Sequence, residues 1–275
     1  MKKIHISAIL KYLLLFVSAI LVILPLVFVF MSSFKSNEEI FLGAFKLPSK
    51  FRYQNYITIF NDIYHMHTYF ANSFLYAIVV CSAGVIINSM AAYAIGRLKW
   101  KLSKPVMALF LGGLMIPLHA IIVPLYIFVS RFRMPNQVAL SFLFIASTIP
   151  TSVFLFAGFL GQVPKSIEES AIIDGSSIPY MFYNIVIPII KPAIATVTIF
   201  NFMGVWNDLL LSLIFLNNVR LQTLQLGITR FKGAFYSEYG LLLAAIVLSI
   251  IPSIVVYLIM SEKIISGITS GAIKG

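Results

Sequence analysis

Three acidic residues stand close together in one polar stretch, Val163-Pro-Lys-Ser-Ile-Glu-Glu-Ser-Ala-Ile-Ile-Asp-Gly175, which runs on to Ile185-Val-Ile-Pro188. Glu168, Glu169 and Asp174 belong to a set of only nine acids in a chain of formal net charge +11. Carboxylates grouped in this way can receive basic side chains in charge-assisted hydrogen bonds, so the chemistry on offer is recognition of a partner. The plainer alternative is a solvated surface hairpin. Asp208 is the one acid inside an apolar run, in Val205-Trp-Asn-Asp208. Acids at membrane depth are costly and usually face a bundle interior or a watery cavity. At helical spacing Thr198, Asn201, Asp208 and Ser212 share one face with Gly204. That face either lines a solute route or bonds to a neighbouring helix. Asn72, Ser73, Asn88, Ser89 and His119 are weaker candidates of the same kind. No Gly-x-x-x-x-Gly-Lys-Ser/Thr loop, His-Glu-x-x-His or Gly-x-Ser-x-Gly elbow is present, so no nucleotide-hydrolysing, zinc-protease or hydrolase motif is visible.

The elements that must position these residues are set by composition. The chain is 60% hydrophobic and 11% charged over 275 residues, with a mean hydropathy of +0.97. Soluble domains carry about 25% charged residues. Apolar runs fall at about 10-32, 69-95, 106-129, 137-159, 193-216 and 239-260; about 20 such residues cross a bilayer. The expected fold is an all-α membrane protein of six spans, a single domain over 1-275 with a polar loop at 160-191 and a tail at 261-275. The run after Lys2 and Lys3 is too long for a signal peptide and ends without a small-residue cleavage pattern, so it reads as a retained span. Three lysines precede this span and Lys35, Glu38 and Glu39 follow it, which places both termini and the acidic loop in the cytoplasm. Basic residues lie in short segments between spans, which suits anionic lipid and not nucleic acid. The lone cysteine, Cys81, excludes a disulfide framework within one chain. Pro117, Pro124, Pro150 and Pro252 interrupt spans, either as ordinary membrane-helix prolines or as kinks that shape a pathway.

Within the acidic loop, Ser166-Ile-Glu-Glu169 has the pattern of a capping box and Gly175 suits a left-handed helix end. A second short helix opens at Ser177-Ile-Pro179, buries Met181, Phe182, Ile185 and Val186 on one face, and closes at Pro188 and Pro192. The expectation is a helix-turn-helix outside the bilayer.

At these positions the sequence resembles the permeases of binding-protein-dependent ABC importers. Their cytoplasmic EAA signature is Glu-Ala-Ala, three residues, Gly, nine residues, Ile-x-Leu-Pro. Here it stands as Glu169-Ser-Ala171, Gly175 and Ile185-Val-Ile-Pro188, with Ser170 and Ile187 as mild departures. Ala91-Ala-Tyr-Ala-Ile-Gly-Arg-Leu98, Met115-Ile-Pro117, Ile122-Val-Pro-Leu-Tyr126, Trp206-Asn-Asp208, Leu221-Gln-Thr-Leu224 and the tail Gly267 to Gly275 resemble the carbohydrate-uptake branch, in particular the maltose-system-type second permease. The resemblance implies a non-catalytic subunit of a bacterial cytoplasmic-membrane importer for a sugar or oligosaccharide. It pairs with a related permease, two ABC ATPase copies and an extracytoplasmic binding protein. ATP and Mg would be used by the ATPase, and no cofactor or metal is expected on this chain.

Carried over by position, Glu168, Glu169, Ser170, Ala171, Asp174, Gly175, Ile185 and Pro188 would form the ATPase-coupling hairpin. There Glu169 would meet a basic residue and Ala171 would permit close packing. Asn201, Trp206, Asn207 and Asp208 are the candidate translocation path, and Ser270, Gly271 and Lys274 the candidate ATPase-contacting tail. Import of a glycerol phosphate or amino sugar by the same machinery is the alternative, and a polytopic membrane enzyme a more distant one.

Overall fold

The computed structural model describes residues 6-43, 45-61, 65-98, 100-231 and 238-272, with side chains described between Leu10 and Met260. Among the described residues every regular element is helical: α1 (Ile6–Ser32), α2 (Asn37–Leu42), α3 (Gln54–Thr58), α4 (Met66–Arg97), α5 (Ser103–Gly113), α6 (Leu118–Arg131), α7 (Asn136–Leu160), α8 (Lys165–Ile173) and α9 (Ile178–Met181). A π-helical stretch (Phe182–Val186) follows, then α10 (Ile187–Ile189), α11 (Lys191–Trp206), α12 (Leu210–Phe215), α13 (Leu224–Ile228) and α14 (Tyr239–Ala272). Four of these helices are long and apolar enough to cross a membrane, and the number rises to six if two sharply bent pairs each count as one span.

The first bent pair corrects a continuous span expected at 106-129, and the second bends where the expected loop at 160-191 meets the fifth span. α5 and α6 meet at 105° across Leu114 to Pro117, and the helix from Ile178 to Ile189 meets α11 at 79°. Pro117 takes the N-cap of α6 with ψ 128° and so starts a helix where a mid-span kink was expected. Proline cannot donate its amide, and it pushes the residue before it toward extended conformation. Gly112 and Gly113 just upstream end α5 easily. Pro124, Pro150 and Pro252 do lie inside helices, in α6, α7 and α14. α14 carries on to Ala272, well past the expected end of the sixth span.

The chain forms two compact units, Met1–His67 with Leu226–Pro252 and Thr68–Gln225 with Ser253–Gly275. In the first unit α1 is apolar on every side and exposes Leu14, Phe16 and Leu21, which suits a lipid environment. Its exit is held by Phe34, whose ring packs against Phe30, Phe51, Tyr53 and Tyr56 at centroid distances of 5.1 to 5.9 Å. The Asn55 side chain donates to the carbonyls of Ser33 at 2.7 Å and Lys35 at 3.1 Å. The start of α14 lies against this turn, where a Cβ on Gly240 would come within 2.7 Å of the Lys35 carbonyl oxygen.

α2 begins with a complete capping box: Ser36 Oγ accepts from the Glu39 amide at 3.2 Å, and Glu39 Oε2 accepts from the Ser36 amide at 3.1 Å. The second oxygen of Glu39 accepts from the amide and the hydroxyl of Ser49. The bonds from the Ser49 hydroxyl and the Ser36 amide hold this carboxyl below the usual carboxylate range. A depressed folded value means that the contribution is complete above the unfolded value of 4.5 and is lost only as pH falls through the lower folded one. Amide exchange of residues 36-49 is therefore expected to stay slow from pH 7 to pH 5. It should rise only below about pH 4.5, and Ser49→Ala should move that rise to higher pH.

Candidate functional site

The acidic loop folds as a hairpin in the second unit, with one face buried and the other exposed. Ala171, Met181, Phe182 and Val186 point inward, each at most 6% exposed. They join a core made by Ala92, Tyr93 and Ile95 of α4, Val153, Phe156 and Leu160 of α7, and Ala193 and Val197 of α11. The rings of Tyr93 and Phe182 lie 5.3 Å apart. Burying a large apolar side chain contributes about 1.5–3 kcal/mol, so this face fixes the hairpin to three long helices. The outer face carries Glu169, Ser170, Ile172, Ile173, Ile178, Tyr180 and Tyr183, all exposed, with Ile173 at 84%.

The turn between α8 and α9 is a Schellman motif centred on Gly175, whose φ is +81°. The Ser176 amide donates to Ala171 O at 2.9 Å and the Gly175 amide to Ile172 O at 3.0 Å, which satisfies carbonyls that the helix end leaves open. Ser177 then caps α9 by accepting from the Tyr180 amide. Beyond α9 the helix runs through Pro188 to Ile189 and breaks at a 79° bend before Pro192, so it ends between the two prolines expected to close it. The π turn over Phe182–Val186 stands just upstream, and its wider winding relieves the clash between a proline ring and the carbonyl four residues earlier. Ile185, expected on the buried face, is only partly buried.

The capping box expected at Ser166 and Glu169 does not form. Pro164 enters the helix with ψ 132°, Lys165 is already helical, and no side chain caps the start. That leaves Ser166 inside the first turn and Glu169 exposed. Glu168 is not solvated either: it is 9% exposed, and its Oε1 lies 3.1 Å from Arg97 Nε. Arg97 Nη2 also donates to the carbonyl of Val163 at 2.5 Å. Nothing in the local sequence pattern marks Arg97, since its partners lie 66 and more positions away. The two neighbouring acids thus face opposite ways, Glu168 into the protein and Glu169 out of it.

The intramembrane polar residues divide in a comparable way. α11 stops at Trp206, and Asp208 stands at the break before α12. Its carboxylate accepts from the amides of Leu211 at 3.4 Å and Ser212 at 3.0 Å and from the Ser212 hydroxyl at 3.1 Å. The Asp208–Ser212 relation therefore comes from a helix start, and the single continuous helical face expected is interrupted. A cavity of about 250 Å³ is lined by Ser147, Thr148, Thr151, Asn201, Gly204 and Asp208 among others. Asn201 is 3% exposed and its Oδ1 accepts from Ser152 Oγ at 3.2 Å. Asn88 Nδ2 donates to Thr148 Oγ1 at 3.3 Å. Gly84 leaves room between them, where a Cβ would meet Asn201 Nδ2 at 3.3 Å and Thr148 Oγ1 at 3.4 Å.

Trp206 is not a lining residue. It is 1% exposed and stacks on Phe202 at 5.4 Å and 13°, with Phe74 at 4.7 Å. Asn207 is exposed and donates to Met203 O at 3.0 Å, and His119 is exposed. Ser270 and Gly271 lie in α14, but their side chains and Lys274 are outside the described residues.

Residues 84–264 match the family described as binding-protein-dependent transport system inner membrane component. The chain belongs to this family. The permease is 30% identical over 277 residues to a starch degradation products transport system permease of Thermoanaerobacterium thermosulfurigenes, covering 100% of both chains. It is 31% identical over 274 residues to the trehalose/maltose transport system permease of Thermococcus litoralis, covering 97% of this chain and 98% of that one. With the multiple sugar-binding transport system permease of Streptococcus mutans it shares 32% over 268 residues, 96% of each chain. One solved structure, a bacterial ABC transporter involved in the import of the acidic polysaccharide alginate, has a chain of the same fold. The TM-score is 0.84 at 21% identity, over 95% of the permease and 98% of that chain.

The left-handed turn gives a direct test. Gly175→Ala is expected to destabilise the hairpin by about 1–2 kcal/mol, because a Cβ is strained at positive φ. Faster amide exchange confined to residues 165-189 would report it, with the rest of the bundle unchanged.

Proposed function

We propose that this permease is the translocation subunit of an ATP-driven importer of a sugar or oligosaccharide, acting as one domain over its whole length. In this reading it pairs with a related permease, receives solute from an extracytoplasmic binding protein, and docks the outer face of its hairpin on one of two ABC ATPases. ATP and Mg belong to that partner. Both termini then lie in the cytoplasm, a placement supported by the charges flanking the first span. The observation that carries the reading is the two-faced hairpin. Its inner face is locked into α4, α7 and α11, while its outer face offers exposed isoleucine and tyrosine side chains with two exposed carboxylates, Glu169 and, at the turn, Asp174. An apolar patch carrying carboxylates suits a cleft holding a basic residue, and a charge-assisted bond there would fix register. The fixed inner face would pass rigid-body motion into the bundle and bias it between two openings.

The cavity beside Asn201 and Asp208 is the proposed place where solute passes this chain. Its hydroxyl and amide groups suit a hydroxyl-rich solute, and the break at Asn207 puts loose backbone where a cavity can satisfy it. Trp206 has no part in it. Sugars are favoured because the relatives named above are described as permeases for starch products, trehalose/maltose and multiple sugars.

Purification with the products of neighbouring genes tests the reading. Vanadate-sensitive ATP hydrolysis, stimulated by a binding protein loaded with maltose or a raffinose-type oligosaccharide, is the expected result. Uptake by this polypeptide alone would overturn it. Glu169→Lys is expected to abolish ATPase co-purification or uptake while leaving membrane insertion intact. Undiminished uptake would remove Glu169 from the docking role.

A further inference from the structure

α4 differs from the other long spans. It runs unbroken for 32 residues and contains no proline, whereas α1, α7 and α14 carry Pro25, Pro150 and Pro252, and the third and fifth spans are bent. A helix without such a defect bends only gently. Each end of α4 is tied to an irregular segment. At the C-terminal end Arg97 pairs with Glu168 at 3.1 Å and holds the Val163 carbonyl at 2.5 Å, which grips α8 at its entry. These side chains are only 4% and 12% exposed, so water does little to weaken the pair. Near the N-terminal end Asn72 Nδ2 donates to the carbonyls of Arg220 and Gln222, both at 2.9 Å. Beside it Ser73 Oγ accepts from the Leu224 amide at 2.7 Å. From Asn72 to Arg97 the axis spans about 38 Å at 1.5 Å per residue.

We propose that α4 is a push-rod, with Arg97 as the positioning residue that makes it move with the hairpin, and segment 218-224 as its far load. The proposal rests on the coupling role of the hairpin given above and changes the route of the motion. The covalent continuation of the hairpin leads into α11 through a 79° bend, whereas the ion pair leads into a straight helix whose other end holds the segment before α13. Arg97 acts through Glu168 and touches neither nucleotide nor solute.

The test needs no knowledge of the solute. The assembled complex is reconstituted in phosphatidylethanolamine/phosphatidylglycerol liposomes, and amide exchange of residues 218-224 is measured with and without Mg·ATP plus vanadate. In the wild type, trapping is expected to change exchange there by about tenfold, within the usual range of coupling between sites. Arg97→Glu should abolish that response while vanadate trapping persists and nucleotide-free exchange at 218-224 stays as in the wild type. Arg97→Glu combined with Glu168→Arg should restore it. If Arg97→Glu fails to assemble, Glu168→Gln should show the same loss. An undiminished response in the single variants overturns the rod, as does a lost response that the charge swap fails to recover. A wild-type chain that recruits no ATPase overturns the functional reading itself, and it does so before any variant is made.

Discussion

A polar group inside an apolar helix bundle has little water to fall back on, so it needs a partner within the chain or a place on a polar cavity. Much of the shape of this permease follows from that demand. Asp208 is tolerated at depth because it caps α12 with two amides and a hydroxyl. Asn88 and Asn201 reach Thr148 and Ser152 across helices. The buried guanidinium of Arg97 is balanced by Glu168 and occupied further by the Val163 carbonyl. An ion pair of this kind adds little net stability against an apolar alternative, but removing one member leaves a charge stranded at a cost of roughly 3–5 kcal/mol. Its effect is to fix one arrangement of two helices.

The same demand separates structural acids from recognition acids. Glu168 and Glu169 are adjacent and chemically alike, yet one has its partner at 3.1 Å within the chain and the other faces outward. A helix turns 100° per residue, so neighbours cannot share a face. The helix start at Lys165 decides which acid goes in, and Ala171, three residues on from Glu168, follows it to the buried side. The small size of Ala171 is therefore used by the permease's own core.

The helical architecture, the hairpin, its left-handed glycine and the cap at Ser177 were legible in the sequence because each rests on residues close together in the chain. What could not be read depends on distant partners or on competition between local signals. Ser36-Asn-Glu-Glu39 and Ser166-Ile-Glu-Glu169 have the same capping pattern, and only the first forms the box. At the second, Pro164 starts the helix too early for Ser166 to cap it. Trp206 was a candidate for the translocation path; its burial depends on Phe70 and Phe74 of α4, more than 130 positions away. The break at Asn207 was hidden because the apolar run resumes at once after Asn207 and Asp208, and Arg97 carries no local sign of its partner.

The π turn over Phe182–Val186 has a consequence for register. It takes one more residue than an α-helical turn would to cover the same stretch, and each residue of α-helix is worth about 100° of rotation. The number of residues between Met181 and Ile187 thus sets the azimuth at which the chain enters α10, and with it the side on which Ile190 joins the buried core just before the bend into α11. A local irregularity just ahead of one proline thus decides which side of the hairpin helix faces the core at the point where the chain turns into the bundle.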